Sequence, residues 1–118
     1  MSFFNSEVVR AELSEIQQLQ EEIYKSVFEF GSMSREDQKE HVDLLEKLLN
    51  KQQILYTRLS LSDDPEAKEV KERIMESAMS MGLPPHVDMN VIFNNMSSML
   101  SAMREQIDSI LYKEFVAC

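Results

Sequence analysis

The sequence predicts an all-α fold of four helices: a long antiparallel hairpin, a short third helix and a long C-terminal helix, assembled in a bundle-like way. Three observations carry this reading. Apolar residues recur at steps of three and four rather than at the alternating period of a strand. Glycine and proline fall at only three places, Gly31, Pro65 and the run Gly82-Leu83-Pro84-Pro85, and so divide the chain into four segments. Residues suited to capping a helix stand beside these breaks.

The first helix is expected over residues 7–30. Val9, Leu13, Ile16, Ile23, Val27 and Phe30 follow helical steps, with Gln20 where a further apolar residue would fall. Gly31 is read as its C-cap. Ser34 then caps the second helix, with Asp37 where a capping box usually carries Glu or Gln, and Glu36 adds charge favourable to a helix start. This helix is expected to end near Leu61. Its stripe is Val42, Leu45, Leu49, Gln52, Tyr56 and Leu59, and Leu44, Leu48 and Leu55 widen the apolar face, so it needs cover on more than one side. The turn Gly31-Ser32-Met33-Ser34 is too short for anything but an antiparallel hairpin.

In Leu61-Ser62-Asp63-Asp64-Pro65-Glu66, Asp64 caps the third helix and Pro65 takes its first position, where a missing N–H costs nothing. Ala67, Val70, Ile74, Ala78 and Met81 are expected to face inward. Gly82-Leu83-Pro84-Pro85 stops this helix, and Asp88 caps the last. There the seam is the clearest in the chain: Met89, Phe93, Met96, Leu100, Met103, Ile107 and Ile110 in unbroken steps of four and three. A helix reaching Glu114 would be about 40 Å long. Ile92, Met99, Leu111 and Phe115 lie beside the seam, which points to a face covered by another chain, and a homodimer is the leading expectation.

Composition bounds the rest. At 118 residues and 43% hydrophobic, the chain is read as one helical domain, 1–118, with 1–5 and 115–118 as terminal segments. With 12 Lys plus Arg against 21 Asp plus Glu, a net charge of −9, direct nucleic-acid binding is not expected. The two glycines stand outside any phosphate-cradling motif. Cys118 is the only cysteine, which excludes an intrachain disulfide and a cysteine zinc site; it is read as a tail residue and the compartment as reducing. The first residues lack a basic and apolar leader, and charges recur too often for a membrane span. The expectation is a cytoplasmic protein in which the whole chain is the mature form.

Catalytic and metal constellations are poorly supplied. Di-metal bundles use inward Glu-x-x-His pairs, but Gln38 precedes His41 by three, and His86 lies in the loop after the prolines. Asp37 and His41 share a helix face, read as a capping aspartate near a surface imidazole. The serines lack a strained elbow, and a triad would need one of just two histidines. The reading is therefore non-enzymatic, without cofactor or metal.

Charge and methionine are more informative. Residues 7–30 hold six acidic and two basic side chains, and residues 35–61 hold five of each. An antiparallel hairpin brings Glu12 and Glu15 near Lys47 and Lys51 at its open end. At its closed end it gathers Glu21, Glu22, Glu29, Glu36, Asp37 and Glu40. That end is either a solvated face or a surface for a basic partner, the latter including imitation of nucleic acid toward a protein that binds it. Seven of nine methionines fall between Met75 and Met103. Met89, Met96 and Met103 are read as core, and Met99, beside Ile92, as a contact with a partner or second subunit. The Phe3-Phe4 pair is read as a hydrophobic staple or core anchor, with docking as the other reading.

Phe3-Phe4-Asn5-Ser6-Glu7-Val8-Val9, Phe30-Gly31, Ser34-Arg35-Glu36, Leu59-Ser60-Leu61-Ser62-Asp63-Asp64, Met81-Gly82-Leu83-Pro84, Phe93-Asn94-Asn95-Met96, Leu100 and Met103 occur in that order. In this the chain resembles a small cyanobacterial family of unknown function that is also found in cyanophages, over residues 3–108. The resemblance implies the cytoplasm of an oxygenic phototroph, or one under phage infection, and brings no catalytic residues. A longer, more charged third helix, the doubled proline and the tail 111–118 depart from the pattern. The expectation is a helical interaction or adaptor protein acting on a cytoplasmic protein complex, for which a photosynthetic or gene-expression assembly fits the setting. The alternative is an acidic mimic of nucleic acid that inhibits a nucleic-acid-binding protein. Phe3, Phe4, Glu22, Glu29, Ile92 and Met99 are the expected partner-binding residues.

Overall fold

The computed structural model describes residues 2–85 and 87–117, with side chains described as far as residue 109. Its helices are α1 (Glu7–Ser26), α2 (Arg35–Leu61), α3 (Pro65–Ser80) and α4 (Met89–Ala117), with 3-10 turns at Phe3–Asn5 and Val27–Ser32. Among the described residues there is no strand, and no helix is long and apolar enough to cross a membrane. The fold is all-α and bundle-like, as the periodicity predicts. The side chains of Ile110, Leu111 and Phe115, together with His86 and Cys118, lie outside the described residues.

Helix α2 is the axis of the molecule, with α1 and α4 both packed along it and α3 across its C-terminal end. Ion pairs fix the register: Lys51 bonds Glu15 across α1 and α2, and Lys39 meets Asp108 at 2.9 Å across α2 and α4. Because Glu12 pairs further along α2, at Arg58, and Arg104 pairs at Asp43 and Glu46, both α1 and α4 run antiparallel to α2. Glu15 lies near Lys51 and Lys47 as expected, and the hydrogen bond from Lys51 holds its carboxyl below the ordinary value. Glu12 instead meets Arg58 at 2.8 Å, nearer the open end than Lys47 reaches.

The core runs along α2. Val42 is fully buried at its centre, with Val9, Ile16, Leu19 and Ile23 of α1, Leu49 and Leu59 of α2, Ala67 and Ala78 of α3, and Phe93 and Ile107 of α4. Each large aliphatic buried in this way stabilises the fold by roughly 1.5–3 kcal/mol. In α1 the inward positions include Leu19, whereas Leu13, and Val27 just past the end of the helix, are exposed. The stripe thus turns around α1 toward the single helix it packs on. In α4, Met96 is 45% exposed, because α2 covers only one side of that helix.

The caps follow side-chain chemistry. The Ser34 hydroxyl accepts from the Asp37 N–H at 3.1 Å, Asp64 accepts from Glu66 at 3.0 Å, and Asp88 accepts from Asn90 at 2.9 Å. At the end of α3, Gly82 adopts φ +97°, and Gly82 and Leu83 donate to the carbonyls of Met79 and Ala78, a Schellman stop. Met81, expected inward, is the C-cap residue just before that glycine and is 84% exposed. Gly31 does not cap α1: the helix tightens into the 3-10 turn four residues earlier, at Val27, and Gly31 keeps an ordinary φ. At the C-terminus α4 remains helical through Ala117, including residues 115–117 expected as a terminal segment.

The molecule is elongated, 60 × 32 × 21 Å, with a radius of gyration of 17.5 Å. A compact chain of this length would have about 13.5 Å.

Candidate functional site

The closed end of the hairpin is built by the change of helix type at Ser26. The Ser26 hydroxyl bonds back to the carbonyls of Glu22 and Ile23 and meets His41 Nδ1 at 3.2 Å. From Val27 the chain tightens to the 3-10 form. Gln38, buried on α2, donates through Nε2 to the Phe30 carbonyl at 2.8 Å, while its Oε1 accepts from Arg35 at 2.9 Å. The Phe30 ring lies against the His41 imidazole, ring centres 5.4 Å apart. His41 is therefore buried, not the surface imidazole expected beside Asp37, because the 3-10 turn folds Phe30 over it. Its ring joins Ser26 and Phe30 of the turn to α2 and clamps the hairpin.

This clamp has an outer consequence. Phe30 is turned in, and Phe28 is left 97% exposed, with Tyr24 one helical turn before it at 68%. Val27 is also partly in solvent. At the end of α1, in the turn and at the start of α2, Glu21, Glu22, Glu29, Glu36, Asp37 and Glu40 are all exposed, and none of the six forms a salt bridge among the described residues. The tip thus combines an exposed phenyl ring with exposed carboxylates.

The other expected residues lie elsewhere. Phe3 and Phe4 are at the opposite end, in the first 3-10 turn, half-buried and packed edge to face with ring centres 5.0 Å apart. They line an apolar cleft with Tyr56, Leu59, Ile74 and Phe93. Ile92, half-buried, and Met99, 67% exposed, stand on α4 beside α2. Glu22 and Glu29 alone belong to the tip. The six residues thus fall in three places. Phe28 and Tyr24 were not among them; their sequence signal is a pair of aromatics four residues apart, off the apolar stripe, within the most acidic segment.

Along α2 and α4, Arg104 binds Asp43 and Glu46, the latter at 2.9 Å, in a polar groove that also contains Asn50, Gln53, Ser97 and Ser101. Two carboxylates of α2 share this one guanidinium of α4, which binds the two helices together. Among the described residues, no group of three or more His, Cys, Asp or Glu is placed to hold a metal ion.

Fold and surface together define an elongated all-helical protein with an acidic, aromatic-tipped hairpin. The chain belongs to the family described as Domain of unknown function (DUF1825), whose model matches residues 1–107. That span takes in the hairpin, α3 and α4 as far as Ile107. No curated protein and no solved structure matches the chain.

Proposed function

We propose that this chain is a non-enzymatic interaction protein that binds a basic patch on a protein partner through the closed end of its hairpin. Phe28, fully exposed in the acidic turn that closes the hairpin, is the observation that supports this most strongly. The aromatic side chains supply apolar burial, and the carboxylates steer the encounter and fix its orientation. The resemblance to a cyanobacterial and cyanophage family supports a setting in a cyanobacterial cell, with a cytoplasmic photosynthetic or gene-expression assembly as the complex acted upon.

Imitation of nucleic acid is the competing reading, and the exposed carboxylates favour it to the extent that charge alone drives binding. Salt separates the two. Affinity capture from a cyanobacterial lysate, washed at rising ionic strength, is expected to retain the partner at high salt, because aromatic burial is not screened. Glu22→Lys with Glu29→Lys is expected to weaken capture of that same partner. Release of every bound protein at moderate salt would favour the mimic, and capture unchanged by the charge reversal would remove the tip from consideration.

A further inference from the structure

We propose that two copies of this chain pair through the first half of α4, each seating that helix in the apolar groove between α2 and α4 of the other. Residues 89–103 contain no charged side chain, fifteen residues in succession within a chain that is 28% charged and carries −9 overall. Two such chains repel wherever their acidic surfaces meet, and this stretch of α4 is where they approach without that cost.

The stretch has an unpartnered apolar side. Ile92, Met96, Met99 and Met103 follow one another at steps of four, three and four, so they share one face of the helix. Met96, Met99 and Met103 line a groove with Leu45 and Leu48 of α2. The opposite side of the same helix pair is polar and bridged by Arg104 to Asp43 and Glu46. One side is thus closed by ion pairs within the chain, and the other is apolar and open. Flexible thioethers on that side repack easily against a copy of themselves, and a two-fold axis places the same patch on both partners.

Surface area supplies the second argument. The chain exposes 8494 Å², whereas a compact monomer of its 13.7 kDa mass exposes about 6,600 Å². The excess, about 1,900 Å², follows from the elongated shape and leaves the chain with surface to spare for the roughly 800 Å² that each partner buries in a standard interface.

Sedimentation equilibrium of the full chain tests this. The expected mass is twice 13.7 kDa, with Met99→Glu and Met96→Asp each shifting the protein to the monomer, at least a tenfold loss of association, while retaining wild-type helicity and a cooperative melt. Both side chains are exposed, so neither substitution buries a charge within one chain. A wild-type protein that stays monomeric up to about 100 µM, above the micromolar limit for interfaces of this size, overturns the proposal. So does a dimer that tolerates both substitutions, and so does a monomer that uses Met99 to bind a different protein. Phe28→Ser is expected to remain dimeric, which separates this pairing from the function proposed for the tip.

Discussion

The backbone N–H of Phe3 donates to the carboxylate of Asp64, 61 residues away, and so ties the N-terminal turn to the start of α3. The other carboxylate oxygen of Asp64 caps that helix through the Glu66 N–H at 3.0 Å. One side chain thus serves two elements. The Phe3 N–H first, and the Glu66 N–H second, hold its pKa below the ordinary 3.8. A depressed carboxylate contributes stability that is complete above its unfolded value and is lost as pH falls through its folded one.

Asp64→Ala is therefore expected to lower the melting temperature at neutral pH, and Asp64→Asn less so, since the amide oxygen still caps. The difference between wild type and Asp64→Ala shrinks as pH falls through and below the carboxylate range. Thermal melts from pH 7 to pH 2 check both the order and the convergence; a gap that widens in acid would contradict it.

Val42 has no exposed surface and lies where α2 meets its neighbours. Val42→Ala removes two methyl groups from that packing and is expected to cost about 2 kcal/mol. Urea unfolding should show a lower midpoint with little change in slope.

Arg104 joins α4 to α2 through Asp43 and Glu46, and its side chain is about one-third exposed. Arg104→Ala leaves two carboxylates facing each other without their cation. The expected loss is about 1 kcal/mol at low salt, smaller at high salt because the pair is partly screened. Unfolding at two ionic strengths measures this.

Two residues of the predicted α4 seam behave differently in the structure, so identical substitutions separate them. Ile107 is buried, and Ile107→Asp places an unpaired charge in the core; the chain is expected to lose its cooperative melt. Met96 is 45% exposed, and Met96→Asp is expected to leave the monomer folded. Circular dichroism during heating distinguishes the pair.

Helix number, order and the caps at Ser34, Asp64 and Asp88 were legible because these residues act locally, through their own side chains and the next backbone N–H groups, whereas the expected Gly31 cap was not formed. Inward faces were harder. Leu13, Met81 and Met96 satisfy the period of their helices, but each helix is covered by a limited set of neighbours, and period alone does not say which half of a stripe is met. The burial of His41 was illegible for a related reason. It depends on a helix that tightens at Val27 and turns Phe30 inward, a tertiary outcome no residue in that segment announces. The acidic end of the hairpin was visible as charge, yet Phe28 was not, because the same turn that hides Phe30 exposes it.

Binding of the captured partner to wild type and to Phe28→Ser, measured side by side at high salt, tests the central claim most directly. Phe28 touches too little of its own chain to matter for folding, so both proteins should melt alike. The account predicts at least a 30-fold weaker Kd for the variant, the loss of about 2 kcal/mol that marks an aromatic anchor. Equal affinities, with both proteins folded, would contradict it and move the working surface away from the hairpin tip.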